Sequence, residues 1–207
     1  MDERAREELE SRMRALCVAA DFDGAATLAV RGYGPEVFGF LVGVYRDETE
    51  ASDVFAEVAE AIWKGLPTFA WGSSLRTWAY AIARNVTRTR RRDAARRTRR
   101  APRAGESALD GVAQVVRTET LAFLRTEKRT RLQALRDALP EEDRMLLILR
   151  VDRQLAWNEL ARILGDAEGR DSLDDGGVTR EAARLRKRFQ LVKERLRELA
   201  KKEGLIE

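Results

Sequence analysis

The sequence predicts an all-α protein of two small helical domains joined by a flexible linker. Three observations predict it. Apolar residues recur at helical spacing, and no convincing alternating strand pattern occurs. Proline and glycine gather in few places and leave long amphipathic runs between them. An arginine-, alanine-, proline- and glycine-rich stretch, 96–111, separates two such groups of runs. A length of 207 residues suits one large domain or two small ones.

Taken in order, residues 3–20 read as a first helix with Leu9, Met13, Leu16 and Cys17 on one stripe. A short second helix, 23–31, is expected to stop at Gly32, Tyr33 and Gly34. Pro35 then opens a third, 35–45, where its missing N–H is tolerated in the first turn, and Val37, Phe38, Phe40, Leu41 and Val44 follow. Thr49 or Ser52 is expected to cap the next helix, which runs to 64 with Val54, Phe55, Val58, Ile62 and Trp63 inward. Gly65, Leu66 and Pro67 break it, and Ser73 or Ser74 caps a helix over 75–92. After the linker, 112–139 places Val115, Val116, Leu121, Leu124, Leu132, Leu135 and Leu139 at helical spacing, as one helix or two. Pro140 starts 141–151, with Met145, Leu146, Ile148 and Leu149 apolar. A short helix, 156–164, precedes an acidic, glycine-rich loop, 165–177, and a long basic helix, 178–202. The expected division is a helical extension over 1–34, a first domain over 35–95, the linker over 96–111 and a second domain over 112–207.

Charged residues make up 36% of the chain, well above the usual quarter. The net charge of +4 understates their arrangement, because ten arginines against the single acid Asp93 lie between positions 84 and 103. That run points to a polyanionic partner, although its distal part also fits a solvated linker. The chain has no histidine and one cysteine, Cys17. Zinc fingers, imidazole-dependent nucleophiles and intrachain disulfides are thereby excluded, and no catalytic residue, metal site or cofactor is expected. No apolar run approaches the roughly 20 residues that span a bilayer, and residues 1–14 are too charged for a signal peptide. A soluble, cytoplasmic, non-enzymatic protein is expected.

The segment 73–92 is the most informative. Arg76, Arg84, Arg88, Arg90, Arg91 and Arg92 place positive charge along about five helical turns, beside Trp78, Tyr80 and Ile82. Such a surface can hold a phosphate backbone while stacking against bases. Farther on, Leu155 to Gly165 reads as a short helix ending in glycine. The basic helix after Val178, with Thr179 as N-cap, would complete a helix-turn-helix. An ordinary helical hairpin with a basic face is the alternative for this unit alone.

Together, the two units resemble the small extracytoplasmic-function group of the sigma-70 family of bacterial RNA polymerase sigma factors. Region two of that family is matched by Ala51-Ser52-Asp53-Val54-Phe55-Ala56-Glu57-Val58, by Ile62-Trp63-Lys64-Gly65-Leu66-Pro67-Thr68-Phe69, and by 73–85, the most specific string. Region four is matched around Ala138-Leu139-Pro140, over 155–165 and over 188–197, while the region three of larger members is missing.

The resemblance implies roles residue by residue. Asp53, Glu57 and Glu60 share one helical face and would dock on the basic clamp helices of the polymerase β′ subunit; a solvated acidic face is the alternative. A two-metal carboxylate site is disfavoured without histidine or a second acidic cluster. The loop 66–74, with Phe69, Trp71 and Ser73, would receive an extruded base of the promoter minus-ten element, Trp71 being either a stacking platform or a lid on the core. Trp78 and Tyr80, two positions apart, cannot share a face; Trp78 is expected inward and Tyr80 nearer the nucleic acid. Arg76, Arg84, Asn85 and Arg88 would contact phosphates and base edges. At the minus-thirty-five element, Thr179, Arg180, Glu181, Arg184 and Lys187 would read bases, with Arg186 and Arg188 on phosphates.

The implied partners are core RNA polymerase, through its β′ clamp helices and β flap, and promoter DNA, with room for an anti-sigma factor. Three departures stand out: Ala56 where the family often has glutamine, the long 165–177 loop, and the 1–34 extension. A stand-alone helix-turn-helix regulator is the alternative reading, and an anti-sigma-like interaction protein a third. The acidic helix and aromatic segment argue against the former, and the arginine run against the latter.

Overall fold

In the computed structural model, residues 1–95, 108–126, 131–165 and 174–206 are described, and no strand occurs among them. They divide into two compact units, Met1–Leu124 and Arg125–Glu207.

The first unit opens with α1, Glu3–Val18, capped by Asp2, whose carboxylate accepts from the Ala5 N–H at 2.8 Å. Helix α2 spans Phe22–Tyr45 without a break, capped by Asp21. The expected stop at Gly32 to Gly34 and the separate helix from Pro35 are therefore corrected: both belong to one helix. A proline inside a helix costs roughly 3 kcal/mol, and burial offsets it here. Ala25, Ala26, Ala29, Val30, Tyr33, Val37, Phe38, Phe40, Leu41 and Val44 are all buried along this single rod. Gly34 serves close approach rather than termination, since a Cβ there would lie 3.0 Å from Val116 and 3.2 Å from Phe55.

Helix α3, Glu48–Gly65, starts at Asp47, which accepts from the Glu50 N–H at 2.7 Å; neither Thr49 nor Ser52 is the cap. Ala51, Val54, Phe55, Val58, Ala59 and Ile62 are buried, but Trp63 turns outward and donates its indole N–H to Asp23 at 2.7 Å. A single 3₁₀ turn, Leu66–Thr68, leads to α4, Leu75–Ala95. As expected, Ser74 caps it, its Oγ accepting from the Thr77 N–H at 3.1 Å.

Helix α5, Ala108–Thr126, brings Leu109, Ala113 and Val116 into burial and leaves Val115 exposed. Arg117 donates to the Ser52 carbonyl at 3.2 Å. Residues 112–124 thus join the first unit, where the sequence placed them in the second, and residues 1–34 are built into the same unit rather than appended to it. Of the expected linker, 96–107 lies outside the described residues and 108–111 opens α5.

The second unit contains α6, Arg131–Asp137, then α7, Glu141–Leu147, which continues as a π-helical turn over Ile148–Asp152. Helix α8 spans Trp157–Leu164 and α9 spans Asp175–Lys202. Leu139, Leu147 and Val192 form a core against which Phe189, Leu196 and Leu199 pack. Buried Arg144 donates to the carbonyls of Asp137 at 3.3 Å and Leu139 at 3.2 Å, satisfying acceptors left open at the end of α6. The cap of α9 is Asp174, accepting from the Gly177 N–H at 2.8 Å, not Thr179. Asp175, Gly176 and Gly177 therefore leave the expected loop, and its part 166–173 lies outside the described residues.

Candidate functional site

Three surfaces carry the candidate residues. On α3, Asp53 is exposed, while Glu57 and Glu60 are half-buried. Glu60 pairs with Lys64 on the same helix, and Glu57 pairs across to Arg90 of α4 at 3.4 Å. Burial pushes the Glu57 carboxyl above its ordinary range, with Asp53 and Glu60 adding repulsion and Arg90 opposing them. Beside this pair lies a groove of about 270 Å³, lined by Glu57, Ala61, Ile82, Asn85, Val86 and Thr89. The acidic face of α3 and the outer face of α4 therefore share one concavity.

The second surface is aromatic. Gly65 ends α3 beneath the Trp78 ring, and a Cβ there would fall 2.8 Å from it. Phe69 stacks on Trp78 with ring centroids 4.6 Å apart and an interplanar angle of 27°. Trp71 follows, its centroid 4.9 Å from Phe69, with its backbone in the left-handed region at φ 56. A bulky residue seldom adopts that conformation, which costs on the order of 1–2 kcal/mol. Arg14 of α1 places its guanidinium 4.6 Å from the centre of the Trp71 ring. Phe69 and Trp71 are thus brought together, with Trp71 half-buried at the end of the stack, while Ser73 donates its hydroxyl to the Ser74 carbonyl at 3.2 Å.

Two assignments within α4 are overturned. Tyr80 is fully buried, set edge-on against Phe40 at 5.5 Å, whereas Trp78 is only half-buried. Inward and outward are reversed from expectation because Trp78 belongs to the stack over Gly65, and Phe40 of α2 closes over Tyr80. Arg76 is 7% exposed and grips Glu36 of α2 through Nε at 2.7 Å and a terminal nitrogen at 2.8 Å. Its guanidinium is committed to the core of the unit and is withdrawn from any nucleic-acid surface. Asn85 is exposed, and Arg84 and Arg88 are half-buried on the outer part of the helix.

The third surface is the start of α9. Thr179, Arg180, Arg184, Arg186 and Lys187 are exposed. Thr179 donates its hydroxyl to the Asp175 carbonyl at 2.9 Å, and Glu181 pairs with Arg184 at 3.5 Å. The Arg186 guanidinium lies 5.7 Å from the Trp157 ring of α8. Arg188 does not belong with these residues. It is clamped by Asp143 at 2.7 Å and Glu142 at 2.8 Å, and these bonds fasten α9 to the first turn of α7. Sequence spacing could not reveal that clamp, since the partners lie 45 and 46 positions away.

Among the described residues no group of His, Cys, Asp and Glu is disposed to hold a metal ion, and no helix is long and apolar enough to cross a membrane. Residues 29–97 match the sigma-70 region 2 family, which takes in α3, the aromatic stack apart from Arg14, and α4. The chain is also 28% identical to the RNA polymerase sigma-H factor of Pseudomonas aeruginosa over 147 residues, covering 68% of this chain and 75% of that protein. The chain carries a sigma-70 region 2. Sigma factors of this family are non-enzymatic and serve transcription initiation, with core RNA polymerase and promoter DNA as their partners. Within this chain, the family match begins inside α2 and leaves α1 outside. Arg14 and Glu10 were therefore missed by sequence reasoning. No periodic signal could find them, because their partners Trp71, Tyr33 and the Arg76 amide come from distant positions.

Proposed function

We propose that this sigma factor docks on the β′ clamp helices of core RNA polymerase through Asp53, Glu57 and Glu60, and meets the β flap with its second unit. It captures the unpaired minus-ten strand with the Phe69–Trp71 loop, Ser73, Asn85, Arg84 and Arg88. It reads the minus-thirty-five element with Thr179, Arg180, Glu181, Arg184, Arg186 and Lys187. In this reading 35–95 acts as region two and the helix-turn-helix of the second unit as region four.

The observation that carries this reading is the juxtaposition, on α3, α4 and the segment between them, of an acidic docking face, an exposed amide at Asn85 and a stack of flat rings. A reader of paired DNA has no use for the stack. Unstacking a base costs a few kcal/mol, and an aromatic platform recovers about 1–3 kcal/mol per base. An anti-sigma factor that covers the acidic face would silence the protein by competing with the clamp.

Reconstitution tests the proposal. Purified protein is mixed with core polymerase and assayed for specific initiation from a genomic promoter library. Binding to core followed by promoter-directed transcripts is expected. Absence of core binding refutes the docking assignment, and core binding without initiation refutes the promoter-reading assignment.

A further inference from the structure

We infer that Arg14, on α1, is a phosphate ligand for the unpaired DNA strand, held ready for it by its stack on Trp71. This rests on the strand-capture reading above and extends it to a helix outside the family match.

The first line of argument is placement. Helix α1 is held on the unit by Glu10, whose Oε1 accepts from the Tyr33 hydroxyl at 2.8 Å and from the Arg76 backbone N–H at 3.3 Å. The second bond seats a carboxylate at the N-terminus of α4, where the helix dipole favours it. Met13 is fully buried beside it, and the Leu9 side chain lies against Gly32. Arg14 stands four residues after Glu10, on the same helical face, so the clamp aims it at the loop. The packing of α1 fixes where the Arg14 side chain leaves the helix, and its guanidinium lies 4.6 Å from the centre of the Trp71 ring.

The second line is charge. Arg14 is exposed, and among the described residues no carboxylate pairs with it. Glu10, the carboxylate best spaced to neutralise it, is committed to Tyr33 and α4. A guanidinium lying over an indole keeps the N–H groups of its edge available, while stacking removes much of the rotamer freedom that binding would otherwise have to remove. A planar cation with open donors at the end of an aromatic stack is matched by a base lodged in the loop with its phosphate outside.

The third line is strain. Trp71 holds a left-handed backbone, an arrangement that persists only where its surroundings impose it. Phe69 and Arg14 lie against its ring, so α1 helps to shape the loop as well as charging it.

The test uses holoenzyme assembled on core polymerase, with two templates: a forked promoter whose minus-ten strand is unpaired, and the same promoter fully paired and kept cold. Dissociation constants are measured against salt for wild type, Arg14→Ala, Arg14→Lys and Asn85→Ala. Arg14→Ala is expected to weaken forked-template binding about tenfold and to lower the salt slope by about 0.7, the value of one single-strand phosphate contact. Arg14→Lys restores the slope. Core affinity and paired-template affinity stay within about twofold, and the thermal midpoint shows that α1 remains docked.

An unchanged salt slope in Arg14→Ala overturns the proposal, as does an equal loss on both templates or a lysine variant that behaves like alanine. If wild type binds both templates equally, strand capture itself fails, and the Arg14 assignment with it. If Asn85→Ala loses the preference for the fork and Arg14→Ala keeps it, the Arg14 assignment alone fails.

Discussion

Replacing Arg76 by methionine should unfold this protein more readily without removing a DNA contact. The guanidinium is 8% exposed in its side chain and the Glu36 carboxylate 23%, and two hydrogen bonds of 2.7 and 2.8 Å join them in bidentate fashion. Removing one member of a fully buried pair costs about 3–5 kcal/mol, because the other is left charged and unpaired. Water reaches Glu36 in part, which lowers the expectation to about 2–3 kcal/mol. Methionine retains most of the apolar stem, so the loss reports charge rather than a cavity. With a urea slope of about 1–3 kcal/mol per molar, the midpoint should fall by about 1 M or more. Glu36→Gln should cost a similar amount. The double variant should lose less than the sum of the singles, leaving a coupling of about 2 kcal/mol in a double-mutant cycle. Urea unfolding followed by circular dichroism measures all four proteins. If the losses add, or if Arg76→Met keeps its midpoint while losing affinity for forked promoter DNA, then Arg76 acts on DNA and the burial argument is wrong.

Three further outcomes are expected. Alanine at Arg84 and Asn85 together should reduce open-complex formation about tenfold or more while core affinity stays within twofold, as read by permanganate footprinting and by titration of labelled core; loss of core binding in the folded double variant would contradict that division of roles. Glu57→Gln should be more heat-stable than wild type at neutral pH. The Glu57 carboxyl is raised when folded, so its charge opposes folding above its unfolded value of 4.5, and the advantage should vanish as pH falls toward that value; an advantage that is constant with pH would be incompatible with the raised carboxyl. Asp174→Ala removes the α9 cap and should cost about 1 kcal/mol, with faster hydrogen exchange confined to the first turn of α9; protection of the Gly177 amide equal to wild type would discount the cap.

Much of this architecture is legible in the chain. Helical periodicity identifies the buried stripe of α3, and Ser74 announces the start of α4 as a hydroxyl able to satisfy an orphan amide. Pro140 marks the entry to α7. The charge run after Arg84 and the absence of histidine narrow the chemistry by composition alone. Failures cluster where a local rule met a stronger tertiary term. Gly32, Gly34 and Pro35 look like punctuation, but the apolar residues on both sides lie on one buried face, and continuing the helix buries them together. The acids at 47 and 174 cap their helices ahead of the hydroxyls that sequence reasoning preferred.

Candidate binding residues divide in the same way. By itself the sequence determined which groups exist and on which helices they lie: acids on α3, arginines and aromatics on α4, a basic face on α9. Residue type and helical spacing are local properties, and each helix carries them unaided. Only the tertiary structure decided which of those groups face outward. Arg76 and Arg188 look like phosphate ligands until Glu36 in one unit, and Glu142 with Asp143 in the other, arrive from distant segments and claim them. Tyr80 and Trp78 exchange places once Phe40 closes over the one and Phe69 stacks on the other. Arg14 attracts no notice in a charged helix until α1 docks and carries it onto Trp71. The physical reason is common to all of them: whether a charge is a ligand or a strut depends on what desolvates and neutralises it, and those neighbours are chosen by packing across the chain.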